Sequence, residues 1–151
     1  MLIEKEWLDF GHQFSTRCGH TTLNNAEDQR SPIFLIFVDC VWQLMRQFPD
    51  SFEYNETLLL ALMDNVYSCR YGTFLGNCAK ERRVGQIQDR TVSIWRFVSE
   101  NLHLFRNPHF REFASLILPS VLAKNLVLWS GWHSRRDCSL VPPPPPPTYY
   151  N

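Results

Sequence analysis

The apolar residues Phe34, Phe37, Val38, Val41, Leu44, Met45 and Phe48 return at intervals of three and four. That spacing draws a single stripe down a core-facing helix of about four to five turns and leaves no room for a strand. Ser31-Pro32 is a strong start, with serine as the cap and proline at the first helical position, and Pro49 is the stop. A second helix is predicted from Asn55 as cap, with Glu56 favourable to the dipole in its first turn, through Leu58, Leu59, Leu62, Met63, Val66 and Tyr67 to an end marked by Gly72. Residues 48–54 between them suffice only for a turn, so the two helices should pack as antiparallel neighbours.

The other elements are shorter. A helix ends across Trp7-Leu8-Asp9-Phe10-Gly11-His12, and residues 21–30 have the polar composition of an exposed loop. The string Thr73–Asn77 mixes apolar anchors with turn residues and reads as a buried connection. Asn77 is expected to cap a polar helix through Arg83, and a further helix from Thr91 should turn Ile94, Trp95 and Val98 inward. Asn107-Pro108 and Leu118-Pro119 break regularity, and Asn125 to Trp132 has no assignable period. No hairpin signal, strictly alternating segment or repeat of 20–50 residues occurs. The expected fold class is mainly α.

Composition sets outer limits. In 151 residues, 15 basic side chains face 15 acidic ones, which argues against a nucleic-acid partner. Apolar residues make up 44% and include 11 Phe, 5 Trp and 5 Tyr, enough for a core in one domain or part of one. The longest apolar run, Ile33 to Val38, is far below the about 20 residues of a spanning helix, so any membrane contact should be peripheral. The charged opening Glu4-Lys5-Glu6 lacks the apolar stretch of a secretory signal. The cysteines Cys18, Cys40, Cys69, Cys78 and Cys138 contain no C-x-x-C pair; a reduced, cytosolic chain without a zinc ribbon is expected.

Few residues suggest chemistry by type and spacing. Cys40 and Arg46 have the Cys-x5-Arg spacing of cysteine-dependent phosphatases. That chemistry needs a thiolate at a helix N-terminus and a loop of small residues wrapping the phosphate. Here the intervening residues are bulky and Cys40 falls mid-helix, which predicts a buried structural thiol. His12, Cys18 and His20 lack a fourth ligand at a usual spacing, so neither a metal nor another cofactor is expected. The sequon Asn55-Glu56-Thr57 sits where a helix cap is expected, and Lys80, Arg82 and Arg83 read as a solvated helix face.

A wider pattern connects these segments. Trp7-Leu8-Asp9-Phe10-Gly11-His12 with Arg17-Cys18-Gly19-His20, Ser31-Pro32-Ile33-Phe34-Leu35 with Asp39-Cys40-Val41-Trp42-Gln43-Leu44, Gln47-Phe48-Pro49 with Phe52-Glu53-Tyr54-Asn55-Glu56, and Tyr67-Ser68-Cys69 with Tyr71-Gly72-Thr73-Phe74-Leu75 resemble, in order, the myotubularin family of phosphoinositide 3-phosphatases. Weaker agreement runs to Leu126-Val127-Leu128-Trp129, and the wording is nearest the subgroup that ends in a FYVE-type zinc finger. The resemblance implies the C-terminal helical portion of an α/β cysteine-dependent phosphatase fold over residues 1–133, followed by a disordered proline-rich tail over 134–151. It implies a parent that removes the 3-phosphate of phosphatidylinositol 3-phosphate, with the 3,5-bisphosphate as a second substrate. The family's nucleophile loop, C-S-D-G-W-D-R, does not occur in the 151 residues, so the chain alone is expected to be inactive, with no catalytic residue of its own. The alternative is a non-catalytic, pseudophosphatase-like scaffold.

The resemblance also assigns one substrate-binding candidate. Gly11-His12-Gln13-Phe14 matches the family's G-H-[KR]-F pattern, whose following arginine corresponds to Arg17. Gln13 stands where the family carries a base, which leaves one charge fewer for a phosphate ester. Arg17 would offer the phosphoinositide head group a planar, bidentate donor. Further implied partners are other myotubularin-type chains, in homo- or hetero-oligomers, at endosomal or other phosphoinositide-containing membranes. In the tail, Pro142 to Pro147 is a polyproline rod, and Pro146, Pro147 and Tyr149 fit the P-P-x-Y ligand of a WW-domain protein. Finally, if the helices cover one side of a sheet outside these residues, their stripes should lie unpartnered and the isolated chain should be molten.

Overall fold

The predicted stripe forms α2, Ile33–Gln47, in the computed structural model, which describes residues 2–20, 27–112 and 116–135. Numbered with it are α1 (Phe14–Arg17), α3 (Glu56–Ser68), α4 (Ala79–Val84), α5 (Ile87–Arg90), α6 (Ile94–Glu100), α7 (Leu102–Phe105) and α8 (Ser130–His133). A π-helical stretch, Glu4–Asp9, precedes α1. Among the described residues there is no strand, only an isolated antiparallel bridge between Tyr54 and Arg106, so the mainly α class holds.

Helices α2 and α3 pack together as neighbours, joined by the turn 48–54. Phe34 and Val38 from α2 meet Leu59, Leu62, Met63 and Val66 from α3 in one core. The stripes therefore bury each other within the chain, which corrects the expectation that they lie unpartnered. Phe14, Phe34 and Phe74 close one end, with ring centroids 5.1 to 5.8 Å apart. Ile94, Phe97 and Val98 of α6 and Phe105 of α7 fill the other, and Trp95 is half-buried.

The helix ends are less regular than their sequences suggest. Pro32, not Ser31, occupies the cap position of α2, without a side-chain cap, and the Ser31 N–H bonds to the Arg17 carbonyl (3.1 Å). Asn55 does hold the cap position of α3, but its side chain turns away from the helix. Its Nδ2 donates to the carbonyls of Leu104 (2.9 Å) and Arg106 (3.3 Å), tying α3 to the end of α7. Helix α3 ends at Cys69 in the left-handed region (φ 54°) rather than at Gly72, a conformation that costs a non-glycine residue about 1–2 kcal/mol. Gly72 serves close approach instead: a Cβ there would collide with Thr91 Oγ1. Cys78, not Asn77, takes the cap position of α4.

Residues 116–129 follow no helical period. They cross α2 as a ribbon with a single 3₁₀ turn at Ala123–Asn125, held by polar side chains of the helix. Gln47 brackets Ser120, donating to its carbonyl (3.2 Å) and accepting from its N–H (2.8 Å). Gln43 does the same at Val127 (2.6 and 3.4 Å), and Arg46 donates to the Asn125 carbonyl. The ribbon ends in Trp129, fully buried and stacked on Trp42 (5.7 Å, 17°), with its indole N–H on Glu56 Oε1 at 2.7 Å. Arg135 then clamps Asp64 of α3 with both guanidinium ends.

Candidate functional site

The segment Gly11–Arg17 is set by its neighbours on both sides. The π-helical stretch ends as the His12 N–H reaches the Trp7 carbonyl (2.8 Å), and Gly11 reverses the chain at φ +82°. A Cβ at Gly11 would meet nothing within 4 Å, so glycine is required there by dihedral angle and not by space. Phe14 enters the aromatic core with 0% exposure. The buried connection 72–78 then grips the far side: Ser15 Oγ accepts from the Gly76 N–H and Asn77 Oδ1 accepts from the Thr16 N–H, both at 2.9 Å.

Arg17 thus stands at the end of a short helix anchored by its own phenylalanine and by two cross-chain bonds. Its Nη1 donates to the Gln29 carbonyl (2.8 Å). A guanidinium has five N–H donors, and among the described residues this is the hydrogen bond the Arg17 side chain makes, which leaves donors for an anion. Gln13 is exposed. His12 sits edge-on between Trp7 (4.8 Å) and Phe14 (4.6 Å), with Nε2 buried and unpartnered among the described residues. Burial, and secondarily the positive charge of Arg17, lowers its pKa and favours the neutral ring. Of His12, Gln13 and Arg17, the arginine therefore carries the charge.

The other residues singled out by type and spacing fall elsewhere. Cys40 lies mid-helix as expected but is exposed, not buried; it is on the outer face of α2, and Arg46 is engaged with the ribbon. His20 Nε2 lies 2.6 Å from the Val66 carbonyl, and the Cys18 thiol is pushed up to about 11, mainly by burial and then by Cys69. Among the described residues no three His, Cys, Asp or Glu side chains converge on a metal position. Arg83 is exposed, but Arg82 corrects the reading of a solvated face: half-buried, it donates to the carbonyls of Gly72 (3.1 Å) and Thr73 (3.0 Å) and also to that of Leu75. Pro146, Pro147 and Tyr149 lie outside the described residues, as do 21–26 of the expected loop.

Ser15 and Asn77 hold the segment and Arg82 holds the connection behind it, and sequence reasoning did not single them out for those roles. Their partners are backbone groups 61 residues away, or carbonyls of a turn, and backbone groups carry no side-chain signature. The only local hint is the turn chemistry of Gly76-Asn77, which marks a place where polar side chains are free to reach across.

A family model described as myotubularin-like phosphatase domain matches residues 1–83. Myotubularin of Rattus norvegicus is 47% identical over 136 residues, covering 89% of this chain and 23% of its own. The phosphatidylinositol-3,5-bisphosphate 3-phosphatases MTMR8 of Homo sapiens and MTMR2 of Mus musculus are 45% and 42% identical over 144 and 151 residues, or 94% and 99% of this chain and 20% and 24% of their own. The chain thus spans a fifth to a quarter of the length of the curated relatives it matches. It belongs to the myotubularin-like phosphatase domain family.

Proposed function

We propose that these residues form the helical portion of a myotubularin-type α/β phosphatase fold whose whole protein removes the 3-phosphate from phosphatidylinositol 3-phosphate and from the 3,5-bisphosphate. The observation that carries this reading is the anchored Gly11–Arg17 segment, which holds one arginine fork at the end of a rigid turn in a chain of this family. Arg17 binds a head-group phosphate through a charge-assisted pair. The test is a chimaera in which these 151 residues replace the matching stretch of rat myotubularin, with phosphate release from both lipids as the readout. The isolated chain should release none and the chimaera should be active. Arg17→Ala should lower its kcat/KM by about 10-fold or more, as expected for one charged hydrogen bond. A folded, inactive chimaera would overturn the catalytic reading.

The second reading is a non-catalytic scaffold. It draws on the engagement of Arg17 with Gln29 and on the lack of a nucleophile loop in the sequence. In that role the chain associates with other myotubularin-type chains at phosphoinositide-containing membranes, and Pro146-Pro147-Thr148-Tyr149 recruits a WW-domain protein. A Tyr149→Ala peptide should lose binding across a panel of WW domains, and equal binding by both peptides removes that partner class.

A further inference from the structure

Far along the chain from Arg17, the loops 48–54 and 106–112 are knit together by their backbones. The Asn107 N–H donates to the Glu53 carbonyl and the Arg111 N–H to the Asp50 carbonyl, both at 2.8 Å. Asn107 Nδ2 adds bonds to the carbonyls of Pro49 (2.7 Å) and Phe52 (2.9 Å), beside the Tyr54–Arg106 bridge. Such a frame holds its side chains in fixed relation. Between the loops lies a cleft of about 440 Å³, lined by Phe52, Tyr54 and Phe110 with Glu53, Glu112 and Ser51.

Two features of that cleft call for the same ligand. The rings of Phe52 and Tyr54 meet edge to face at 5.7 Å and Phe110 is 37% exposed, so aromatic surface with a negative π-face is available to a cation. The carboxylates of Glu53 and Glu112 have no ion pair or hydrogen bond among the described residues. Arg106 and Arg111, close in sequence, do not line the cleft.

A quaternary ammonium would satisfy the rings but has no N–H for the carboxylates. An ammonium group has donors but no plane to stack. A guanidinium has both, five donors in a flat fork that lies on an aromatic face. We propose that this cleft binds an arginine side chain presented by a partner polypeptide. Nothing in this assignment depends on Arg17 or on catalysis.

The test titrates the complete 151-residue chain by calorimetry with acetylated, amidated Ala-Leu-Arg-Leu-Ala and with the same peptide carrying citrulline, a neutral isostere, or lysine. Choline chloride is a fourth arm. The arginine peptide should saturate and bind at least about 10-fold more tightly than the citrulline peptide, the factor expected when a charge-assisted hydrogen bond is lost. The double variant Glu53→Gln with Glu112→Gln should lose the preference, and Phe110→Ala should weaken it. Both glutamates are exposed, so the circular dichroism of the double variant should match that of the parent chain. Equal binding of arginine and citrulline peptides, tighter binding of lysine or choline, or no saturation at millimolar peptide would overturn the proposal, and each arm runs on the unchanged chain.

Discussion

The α2–α3 hairpin and the ribbon 116–129 are both rich in large apolar residues, and they place them in opposite ways. On the hairpin the periodic residues turn inward and the helices adhere through Phe34, Val38, Leu62 and Val66. On the ribbon, Leu116, Leu118, Val121, Leu122, Leu126, Val127 and Leu128 are each 46–86% exposed, and attachment falls to two glutamine amides, the Arg46 guanidinium and a buried indole. Burial is non-directional and scales with area, whereas a side-chain clamp stabilises by only about 0.5–1.5 kcal/mol for each hydrogen bond. Hydrophobicity in the sequence therefore says how much apolar surface a region has, and periodicity says whether the region can hide it.

The sharpest way to break this contrast is Phe34→Ala. Removing a fully buried ring from the aromatic end should cost about 3–5 kcal/mol and abolish a cooperative thermal transition. Trp129→Ala should cost about 3 kcal/mol and act locally. Limited proteolysis is expected to cut residues 116–135 while the far-ultraviolet helical signal survives; loss of the whole signal would show that the two regions fold as one. Gln43→Ala should cost about 1 kcal/mol, seen as faster amide exchange around Val127 with the core unchanged.

Acid separates the regions more gently. Burial lowers the pKa of both His12 and His20, so the unfolded chain takes up protons first as pH falls. The stability they contribute is complete above 6.5 and declines as pH falls from there through their folded values. Melting temperature at pH 5.5 should lie below that at pH 7.5, and the double variant His12→Gln with His20→Gln should flatten the difference. Smallest is Val121→Glu on the outward face of the ribbon, which should change stability by no more than about 0.5 kcal/mol while reducing self-association in sedimentation.

What was legible from sequence follows the same division. Helices α2, α3 and α6 could be placed because their apolar faces repeat at the helical period. The class followed, since neither alternation nor hairpin turns interrupt them. Asn55 stands at the cap of α3 as its sequence suggests, although its amide bonds to Leu104 and Arg106, whereas Pro32 and Cys78 take the cap positions expected of Ser31 and Asn77, and the Asn77 side-chain oxygen accepts from the distant Thr16 N–H. The ribbon was opaque because its organising residues, Gln43 and Gln47, belong to α2 and look there like ordinary polar positions. Of the candidate site, Arg17 could be found only through its motif neighbours; the bonds that fix it, from Ser15 and Asn77, span 61 residues and have no local pattern.

The long reach of the Trp129 anchor also sets an order of events. Its partner Glu56 lies 73 positions earlier, and Gln43 and Val127 are 84 apart. Contacts between near neighbours form before those that must close a long loop. During synthesis at about 5–20 residues per second, roughly 60 residues separate the end of α3 from Trp129, a delay of about 3–12 s. Through that interval the hairpin has been made while the indole that will stack on Trp42 has not. The nascent chain therefore shows an apolar face with a waiting carboxylate at Glu56, and whatever attends it at that stage, chaperone or neighbouring chain, meets this face before the ribbon closes over it.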